Sequence, residues 1–177
     1  MKLLSGHVLR DHVIIGGLAA ILSLPLFGGW GSFAFWMANV FIDLDHYMRF
    51  VYYTGFKVFG IGPMLRYHDK VFEHRKHPEF LSIEIFHTAE FLILIGVLAI
   101  WVFPGLWPIF WGFAFHVVVD FVHLGRFRML AVRSNSFVEY FVRRKKMLAE
   151  GKNPDFVFQA TLNSLNLPSI FRSEHIN

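Results

Sequence analysis

The sequence contains no cysteine, and this absence excludes several classes of site. Disulfides, iron–sulfur clusters and zinc sites with thiolate ligands all require cysteine side chains. Any metal that this chain binds must therefore be held by nitrogen and oxygen atoms. Ligands of that kind favour zinc, iron, manganese or magnesium over copper(I).

Charged residues are scarce as well. They make up 17% of the 177 residues, whereas apolar residues make up 55%. The mean hydropathy of +0.46 is typical of an integral membrane protein and is high for a soluble domain. We attribute the net charge of +4 to membrane orientation and expect no nucleic-acid partner.

Two long segments lack Lys and Arg, and each is interrupted by proline and glycine. Residues 13–42 break around Pro25 and Gly28, and residues 80–125 break around Pro104. About 20 apolar residues are needed to cross the hydrocarbon core of a bilayer. The pattern therefore predicts an all-α fold, an integral membrane four-helix bundle with spans at about residues 9–27, 31–50, 81–103 and 106–124.

Basic residues concentrate at the N-terminus, in a central loop of residues 54–79 and after residue 125. The short turns inside the two hydrophobic segments contain none. Cytoplasmic segments of membrane proteins carry an excess of Lys and Arg. We therefore predict a protein of a bacterial or archaeal inner membrane with both termini in the cytoplasm.

We predict that residues 1–125 form the transmembrane domain and that residues 126–177 form a short cytoplasmic helical tail. In the tail, Ser136 and Glu139 fit a helix capping box, and Arg143–Lys146 is a basic run. Apolar residues at helical spacing beside this run predict an amphipathic helix on the inner leaflet. Its expected partners, shared with the basic central loop, are membrane lipids with anionic headgroups. A helix packed against the end of the bundle is the alternative.

Residue types that bind metals lie near the cytoplasmic ends of the predicted spans. A charged side chain inside a membrane costs from about 2.5 kcal/mol upward, so such residues usually serve a function. Carboxylates and histidines are paired three residues apart, which is how helical bundles build metal sites with these ligands. The candidate metal ligands are His12, Asp43, Asp45, His46, His87, His116, Asp120 and His123.

The expected cofactor is a divalent metal, zinc first, with iron or manganese as alternatives. The candidate ligands outnumber those of one tetrahedral zinc ion, so a site with two metals is also compatible with the sequence. Glu90 lies beside the ligands and is the candidate general base. A membrane histidine taken alone often only makes a hydrogen bond between helices. Glu84, near the interface, and the loop residues His68, His74 and His77 are expected to be solvated.

These motifs resemble a family of bacterial and archaeal inner-membrane proteins described as metal-dependent hydrolases, which includes LexA-regulated members. The resemblance covers about residues 7–125 and implies a helical membrane fold with a metal site. Two features depart from the family pattern: Thr88 stands in place of a serine, and His74 is farther from His87 than expected. The tail has no counterpart. The residues that match in order are His12, Asp43, Asp45, His46, His87, Thr88, His116 and Asp120.

The first functional hypothesis is metal-dependent hydrolysis of a lipid-linked or phosphoester substrate at the cytoplasmic leaflet. The metal would lower the pKa of a bound water molecule and polarise the phosphoryl oxygen. The second hypothesis is a di-iron membrane oxidoreductase that uses the same ligands. The third is a non-catalytic haem-binding or scaffold subunit of a larger membrane complex. His87 and His116 would be the axial haem ligands, although the neighbouring carboxylates argue against haem.

The predicted orientation has a direct test, since the chain has no native cysteine. We expect Ser5→Cys and Ser173→Cys to react with a membrane-impermeant maleimide only when the cytoplasmic face is accessible, because both termini lie there. Labelling is compared between intact spheroplasts and inverted vesicles. Reaction of either cysteine in intact spheroplasts would overturn the predicted orientation.

Overall fold

The computed structural model of the chain describes residues 4–126, 129–130 and 132–171, with side chains at residue 10 and from residue 12 onward in these ranges. The regular structure there is predominantly helical, which confirms the predicted all-α class. The helices are α1 Leu4–Leu22, α2 Leu24–Phe41, α3 Leu44–Tyr53, α4 Ile61–Glu73, α5 Ala89–Trp101, α6 Trp107–Arg126, α7 Phe137–Ala149 and α8 Phe156–Ser164. Parts of the predicted tail and of both termini, including Ser173, lie outside the described residues.

Short elements connect these helices. Strands β1 (Ser82–Ile83) and β2 (Arg133–Ser134) pair in parallel, with Ser82 opposite Arg133. Turns of 3₁₀ helix cover Ile85–His87 and Pro104–Leu106. The strand pairing joins the start of the tail to the segment that precedes α5, and so it brings Arg133 to the helical bundle.

Helices α1, α2, α5 and α6 form the bundle, with α2 between α1 and α6. The connection from α1 to α2 is tight because Pro25 can start a helix but cannot continue one. Gly28 has φ +65°, a conformation that favours glycine, and it kinks α2. The hydroxyl of Ser23 donates to that of Ser32 at 2.8 Å and ties the turn to α2.

Two glycines allow the helices of the bundle to approach at backbone contact. A Cβ atom on Gly16 of α1 would overlap the side chain of Asn39, and one on Gly112 of α6 would overlap the carbonyl oxygen of Phe35. Small residues at helix contacts are typical of membrane bundles, in which van der Waals packing drives association. α2 is therefore held closely on both sides, and this sets the level of the residues at its end.

One helical segment among the described residues is long and apolar enough to cross a membrane. It is Pro104–Arg126, with 23 residues and a hydropathy of 1.5. Two shorter apolar helices, His12–Leu22 and Ala89–Trp101, pack against it in the bundle. Helix length and composition thus support one span, and the four-span bundle remains a proposal.

The other predicted spans differ from the observed helices for identifiable reasons, and the second, predicted at residues 31–50, is divided between α2 and α3. The first, predicted at residues 9–27, ends at Leu22 and has the polar residues Arg10 and His12 in its first half. The third, predicted at residues 81–103, begins only at Ala89, because a strand and a 3₁₀ turn precede it. A hydropathy average does not distinguish the polar end of such a span from its apolar part. In the structure, the polar ends carry candidate ligands such as His12 and His87.

A second apolar core lies next to the bundle and includes the tail. Phe158 and Leu162 of α8 are buried together with Phe50 of α3 and Tyr67 of α4. The amide of Ile170 also donates to a carbonyl of α3. The predicted boundary at residue 125 therefore does not separate two cores, because the tail completes the packing of the central segment.

The predicted cap of the tail helix is confirmed. The hydroxyl of Ser136 accepts hydrogen bonds from the amides of Val138 and Glu139. The carboxylate of Glu139 accepts from the amide of Asn135, one residue earlier than in a standard capping box. Every residue of α7 is exposed or half-buried, including the apolar Phe141. α7 thus offers the apolar surface that its pattern predicts, while binding to lipid stays a prediction.

The close contact at Gly112 should be visible in stability. We expect Gly112→Ala to lower the free energy of unfolding by about 1–3 kcal/mol, because the methyl group meets backbone atoms of α2 that cannot move aside. Gly125→Ala is the matched control on the same helix, since a Cβ there meets nothing within 4 Å. Thermal unfolding in detergent compares the two. Equal stability of both variants would show that α2 and α6 can separate at no cost.

Candidate metal centre

Histidine and aspartate side chains from separate parts of the chain meet inside the bundle. His12 comes from α1, Asp43 from the junction of α2 and α3, and His87 from the turn before α5. His116 and Asp120 lie one turn apart on α6 and share a face. The three histidines are at most 2% exposed. A polar cluster is thus buried where the bundle would otherwise be apolar.

One carboxylate oxygen is the centre of this cluster. The Nε2 atoms of His46, His87 and His116 each lie 3.5 Å from Oδ1 of Asp43. These separations are long for hydrogen bonds, which cluster near 2.9 Å. Ligands bound tetrahedrally to zinc at about 2.0–2.1 Å are separated from one another by about 3.3–3.4 Å. The observed spacing therefore matches the edges of a coordination polyhedron. We call Asp43, His46 and His87 the Asp43 group.

A second set of ligand atoms adjoins the first. Nε2 of His12 lies 3.2 Å from Oδ1 of Asp120, and Nε2 of His116 lies 3.8 Å from the same oxygen. His12, His116 and Asp120, the Asp120 group, have ligand atoms within 4.8 Å of one another, as does the Asp43 group. Nε2 of His87 lies 3.6 Å from the other oxygen of Asp120. The two groups together therefore supply donors for one ion or for a pair.

A third set, Asp45, His46 and Glu84, has similarly close ligand atoms, but its carboxylates are already engaged. Oε1 of Glu84 pairs with Arg49 at 2.7 Å. Oδ2 of Asp45 lies 3.1 Å from Nδ1 of His87. These contacts use one oxygen of each carboxylate and tie the set to Arg49 and His87. The second oxygens, Oδ1 of Asp45 and Oε2 of Glu84, are buried and make no hydrogen bond to any described residue.

Several buried nitrogens of the cluster lack partners. The Nε2 atoms of His12, His87 and His116 have no hydrogen bond within the part of the chain that the structure describes. Leaving a buried polar atom unsatisfied costs about 1–3 kcal/mol. All three nitrogens are directed at carboxylate oxygens of the cluster rather than at apolar side chains. A cation between them and the carboxylates would satisfy them together.

Hydrogen bonds on the far side of two rings fix which nitrogen is free. Nδ1 of His116 donates to the carbonyl oxygen of Asn39 at 2.7 Å. A carbonyl can only accept, so Nδ1 carries the proton and Nε2 of the neutral ring has a lone pair. In His87, Nδ1 faces Asp45, whose oxygen also accepts from the amide of Phe86 at 3.0 Å. Histidines that bind metals are usually oriented in this way by a carbonyl or a carboxylate.

The charges of the cluster do not cancel. Its carboxylates and guanidinium groups are Asp43, Asp45, Glu84, Asp120, Arg49 and Arg133. Each arginine pairs with one carboxylate at 2.7 Å. Four carboxylates against two guanidinium groups leave a formal charge of −2 when the histidines are neutral. Buried charge without compensation is costly, and one divalent cation balances it.

Glu90, the candidate general base, is engaged elsewhere. Its Oε1 accepts hydrogen bonds from the hydroxyl of Ser136 at 2.7 Å and from the amide of Phe137 at 3.0 Å. These contacts connect the start of α5 to the start of α7. They fit a role in docking the tail, and the general-base role stays a prediction without geometric support.

Two of the remaining histidines adjoin the cluster. The ring of His123 is 5.9 Å from that of His12, so it adjoins the Asp120 group without belonging to it. His68, expected to be solvated, is half-buried and donates to the carbonyl oxygen of His46 at 3.2 Å. Burial lowers the pKa of His68 well below its usual range, which keeps the ring neutral at pH 7. The other two loop histidines are exposed, as expected.

Sequence reasoning missed the groups that hold the cluster from outside. Glu84 is 3% exposed rather than solvated, because Arg49 pairs with it. Arg49 lies inside a predicted span, and an arginine at such a position signals a buried partner. The sequence around Arg133 does not indicate its contact with Asp120, since that contact depends on the pairing of β1 with β2.

The ring geometry argues against haem at the predicted position. His87 and His116 direct their Nε2 atoms at the same oxygen of Asp43. Their ring centroids are 5.1 Å apart and the planes are inclined by 70°. Axial ligation by two histidines needs the haem iron between opposed imidazoles. A carboxylate occupies that place here.

A scan of protein-family models, a search of curated proteins and a search of solved structures each found no match for this chain. The functional reading therefore depends on the geometry of the cluster. The family resemblance drawn from the short motifs remains an expectation.

Asp45 is expected to act on the metal through His87. Asp45→Asn keeps the shape of the side chain but removes the charge that orients and polarises the imidazole. We expect metal affinity to fall about 10- to 100-fold, the usual effect of losing an outer carboxylate, in a competition titration with a chelating dye. Asp155→Asn, which breaks a pair with Arg144 in the tail, is the control and should keep full affinity. Unchanged affinity in Asp45→Asn would show that packing alone orients His87.

Proposed function

We propose that this chain is a metal-dependent hydrolase embedded in a membrane, acting on a lipid-linked phosphoester at the cytoplasmic leaflet. The observation that carries the proposal is the position of three imidazole Nε2 atoms at 3.5 Å from one oxygen of Asp43. Hydrogen-bonded networks do not need that spacing, whereas metal coordination does. The donor set contains nitrogen and oxygen only, which suits zinc, iron or manganese.

The two groups of the cluster would have distinct tasks. The Asp43 group, with His116, offers enough ligands for one tetrahedral ion. His12 and Asp120 supply further donors for a second ion. A divalent metal lowers the pKa of a bound water molecule and stabilises charge on a phosphoryl oxygen. Asp45 and the carbonyl oxygen of Asn39 keep His87 and His116 oriented for that purpose.

The outer surface of the bundle supports a membrane location. Large apolar side chains stand exposed along its helices and at the turns that connect them, including Leu22, Leu26, Trp30, Trp101 and Val102. Exposed apolar surface of this extent is rare on soluble monomers. Trp30 and Trp101 lie toward the same end of the bundle. Tryptophan is enriched at membrane–water interfaces, so their position fits an interface at this end. With Pro104–Arg126 as the longest span, we propose that the four bundle helices share the bilayer.

The open side of the cluster suits an amphiphilic substrate. Asp43 and His46 are its most exposed ligands, with 26% and 30% of their side chains accessible. Leu44 and Met48, on the outer face of α3, are exposed next to them. A substrate with an acyl chain could keep the chain on these apolar residues while its headgroup enters the cluster. This juxtaposition favours a lipid over a freely soluble substrate.

A di-iron oxidoreductase is the second candidate, because helical bundles hold di-iron centres with mixed carboxylate and histidine ligands. The two adjoining groups of donors fit that description. Optical and electron paramagnetic resonance spectra separate the candidates, since a zinc centre is colourless and silent. A scaffold role in a larger membrane complex stays a prediction from the sequence.

Metal content is the first test. We expect full-length protein purified in detergent without chelator to contain at least one equivalent of zinc, iron or manganese by elemental analysis. Asp43→Ala, His87→Ala and His116→Ala should each lose most of it, because each removes a ligand at the centre of the cluster. His74→Ala, at an exposed histidine whose ring contacts the carbonyl oxygen of Lys70, is the matched control. Full metal retention in His116→Ala would mean that the cluster is structural.

Catalysis is tested on the same preparation. We expect the metal-loaded protein to hydrolyse a short-chain lipid phosphoester, and chelation followed by readdition of metal should abolish and restore the rate. A protein that binds metal with no hydrolysis of phosphate esters would refute the hydrolase assignment while leaving the metal centre in place.

A further inference from the structure

The guanidinium group of Arg133 has more donors than the cluster uses. Nη1 donates to Oδ2 of Asp120 at 2.7 Å. Nε and Nη2 are buried and make no hydrogen bond to any residue that the structure describes. Arg133 is only 7% exposed, so solvent does not replace the missing partners over most of its surface. An unsatisfied donor on a buried charged group costs more free energy than one on a neutral group. An acceptor bound at Nε and Nη2 would remove that cost.

The two free donors lie on one edge of the group. Nε–H and one Nη–H₂ point the same way along the planar guanidinium, and this fork matches two oxygens of a carboxylate or a phosphate. Asp120 takes Nη1 with one oxygen, and its other oxygen faces Nε2 of His12 at 3.2 Å. The carboxylate of Asp120 thus connects Arg133 directly to the other members of the Asp120 group.

The charge of the cluster favours an anion at this edge once two metal ions are bound. The formal charge of −2 becomes zero with one divalent ion and +2 with two. Positive potential in a pocket with low-dielectric walls attracts anions and strengthens their hydrogen bonds. A neutral ester or amide would leave the same donors without a charged acceptor.

We propose that the Nε–Nη2 edge of Arg133 binds non-bridging oxygens of the phosphoryl group of the substrate, next to the metal centre. The inference rests on the proposed function and narrows its substrate to phosphate esters. Arg133 would have two roles, since Nη1 orients Asp120 while the opposite edge holds the oxyanion. The same chemistry serves a lipid phosphate and a soluble phosphate, which differ in the apolar contact beside Asp43.

The test compares Arg133→Lys with wild type, both as full-length, metal-loaded protein. Lysine keeps the positive charge beside Asp120 but lacks the planar fork. We expect unchanged metal content by elemental analysis, and affinity for inorganic phosphate at least about tenfold weaker in calorimetry. Arg144→Lys is the matched control, because that arginine already pairs with Asp155 through both Nη atoms. Phosphate affinity equal to wild type in Arg133→Lys would overturn the proposal.

Short-chain phosphatidic acid in detergent forms a second arm. Tighter binding than inorganic phosphate, weakened again in Arg133→Lys, identifies a lipid headgroup. Binding of inorganic phosphate alone supports the oxyanion site with a soluble ligand. Wild-type protein that holds metal but binds neither probe would refute the role of Arg133 without touching the metal centre. Wild-type protein without metal would instead refute the proposed function.

If Arg133→Lys loses metal or fails to fold, wild-type protein alone decides the question. We expect an experimental structure with zinc and inorganic phosphate to place phosphate oxygens within about 3 Å of Nε and Nη2 of Arg133. Phosphate bound away from this edge, or a different side chain on these two nitrogens, would show that Arg133 serves only to hold Asp120.

Discussion

Four carboxylates, two of them buried and two half-buried, lie close together with only two guanidinium groups, and the arrangement of the cluster follows from that imbalance. Buried charge is tolerated when it is paired or bound to a metal. Arg49 and Arg133 neutralise the charges of Glu84 and Asp120, respectively. Asp43 is left among three imidazoles, which compensate its charge only if they are protonated or if they share a cation with it. The rings of His87 and His116 are oriented from outside the cluster, and their Nε2 atoms make no hydrogen bond to any described residue, which favours the cation.

Helix packing brings these groups to one level. Gly16 and Gly112 permit α2 to lie against the backbones of α1 and α6. At that distance, the side-chain amide of Asn39 donates to the backbone carbonyl oxygen of His12 at 2.9 Å, and the backbone carbonyl oxygen of Asn39 accepts from His116. One residue at the end of α2 thus connects both neighbouring helices to the cluster. A change in helix spacing would be transmitted directly to the ligand atoms.

Local pattern was sufficient for the all-α class, for the Ser136 cap and for the types of residue that meet in the cluster, because each depends on residues close in sequence. It did not give the bounds of the helices, since Asp43 lies between α2 and α3 inside the second predicted span, and a strand and a 3₁₀ turn precede α5. The convergence of His12, Asp43 and His116 followed from placing ligands at one end of each predicted span. Arg133 escaped prediction, since a two-residue strand pairing carries it to Asp120. The contacts of Glu90 escaped prediction for a related reason: proximity in sequence to His87 did not reveal that the tail folds back onto its carboxylate. The contacts that the tail makes with the bundle could not be predicted from hydrophobic periodicity or from the charge pattern.

X-ray absorption spectroscopy of the purified protein is the most direct test of a metal bound at this cluster, because it reports both the element and its ligands. We expect a bound divalent metal with nitrogen and oxygen ligands at about 2.0–2.2 Å. Scattering from the outer atoms of two or more imidazole rings should accompany that shell. Asp43→Ala should alter this spectrum, whereas His74→Ala should not. A folded protein without metal, or a metal without imidazole ligands, would show that the cluster is not a metal centre.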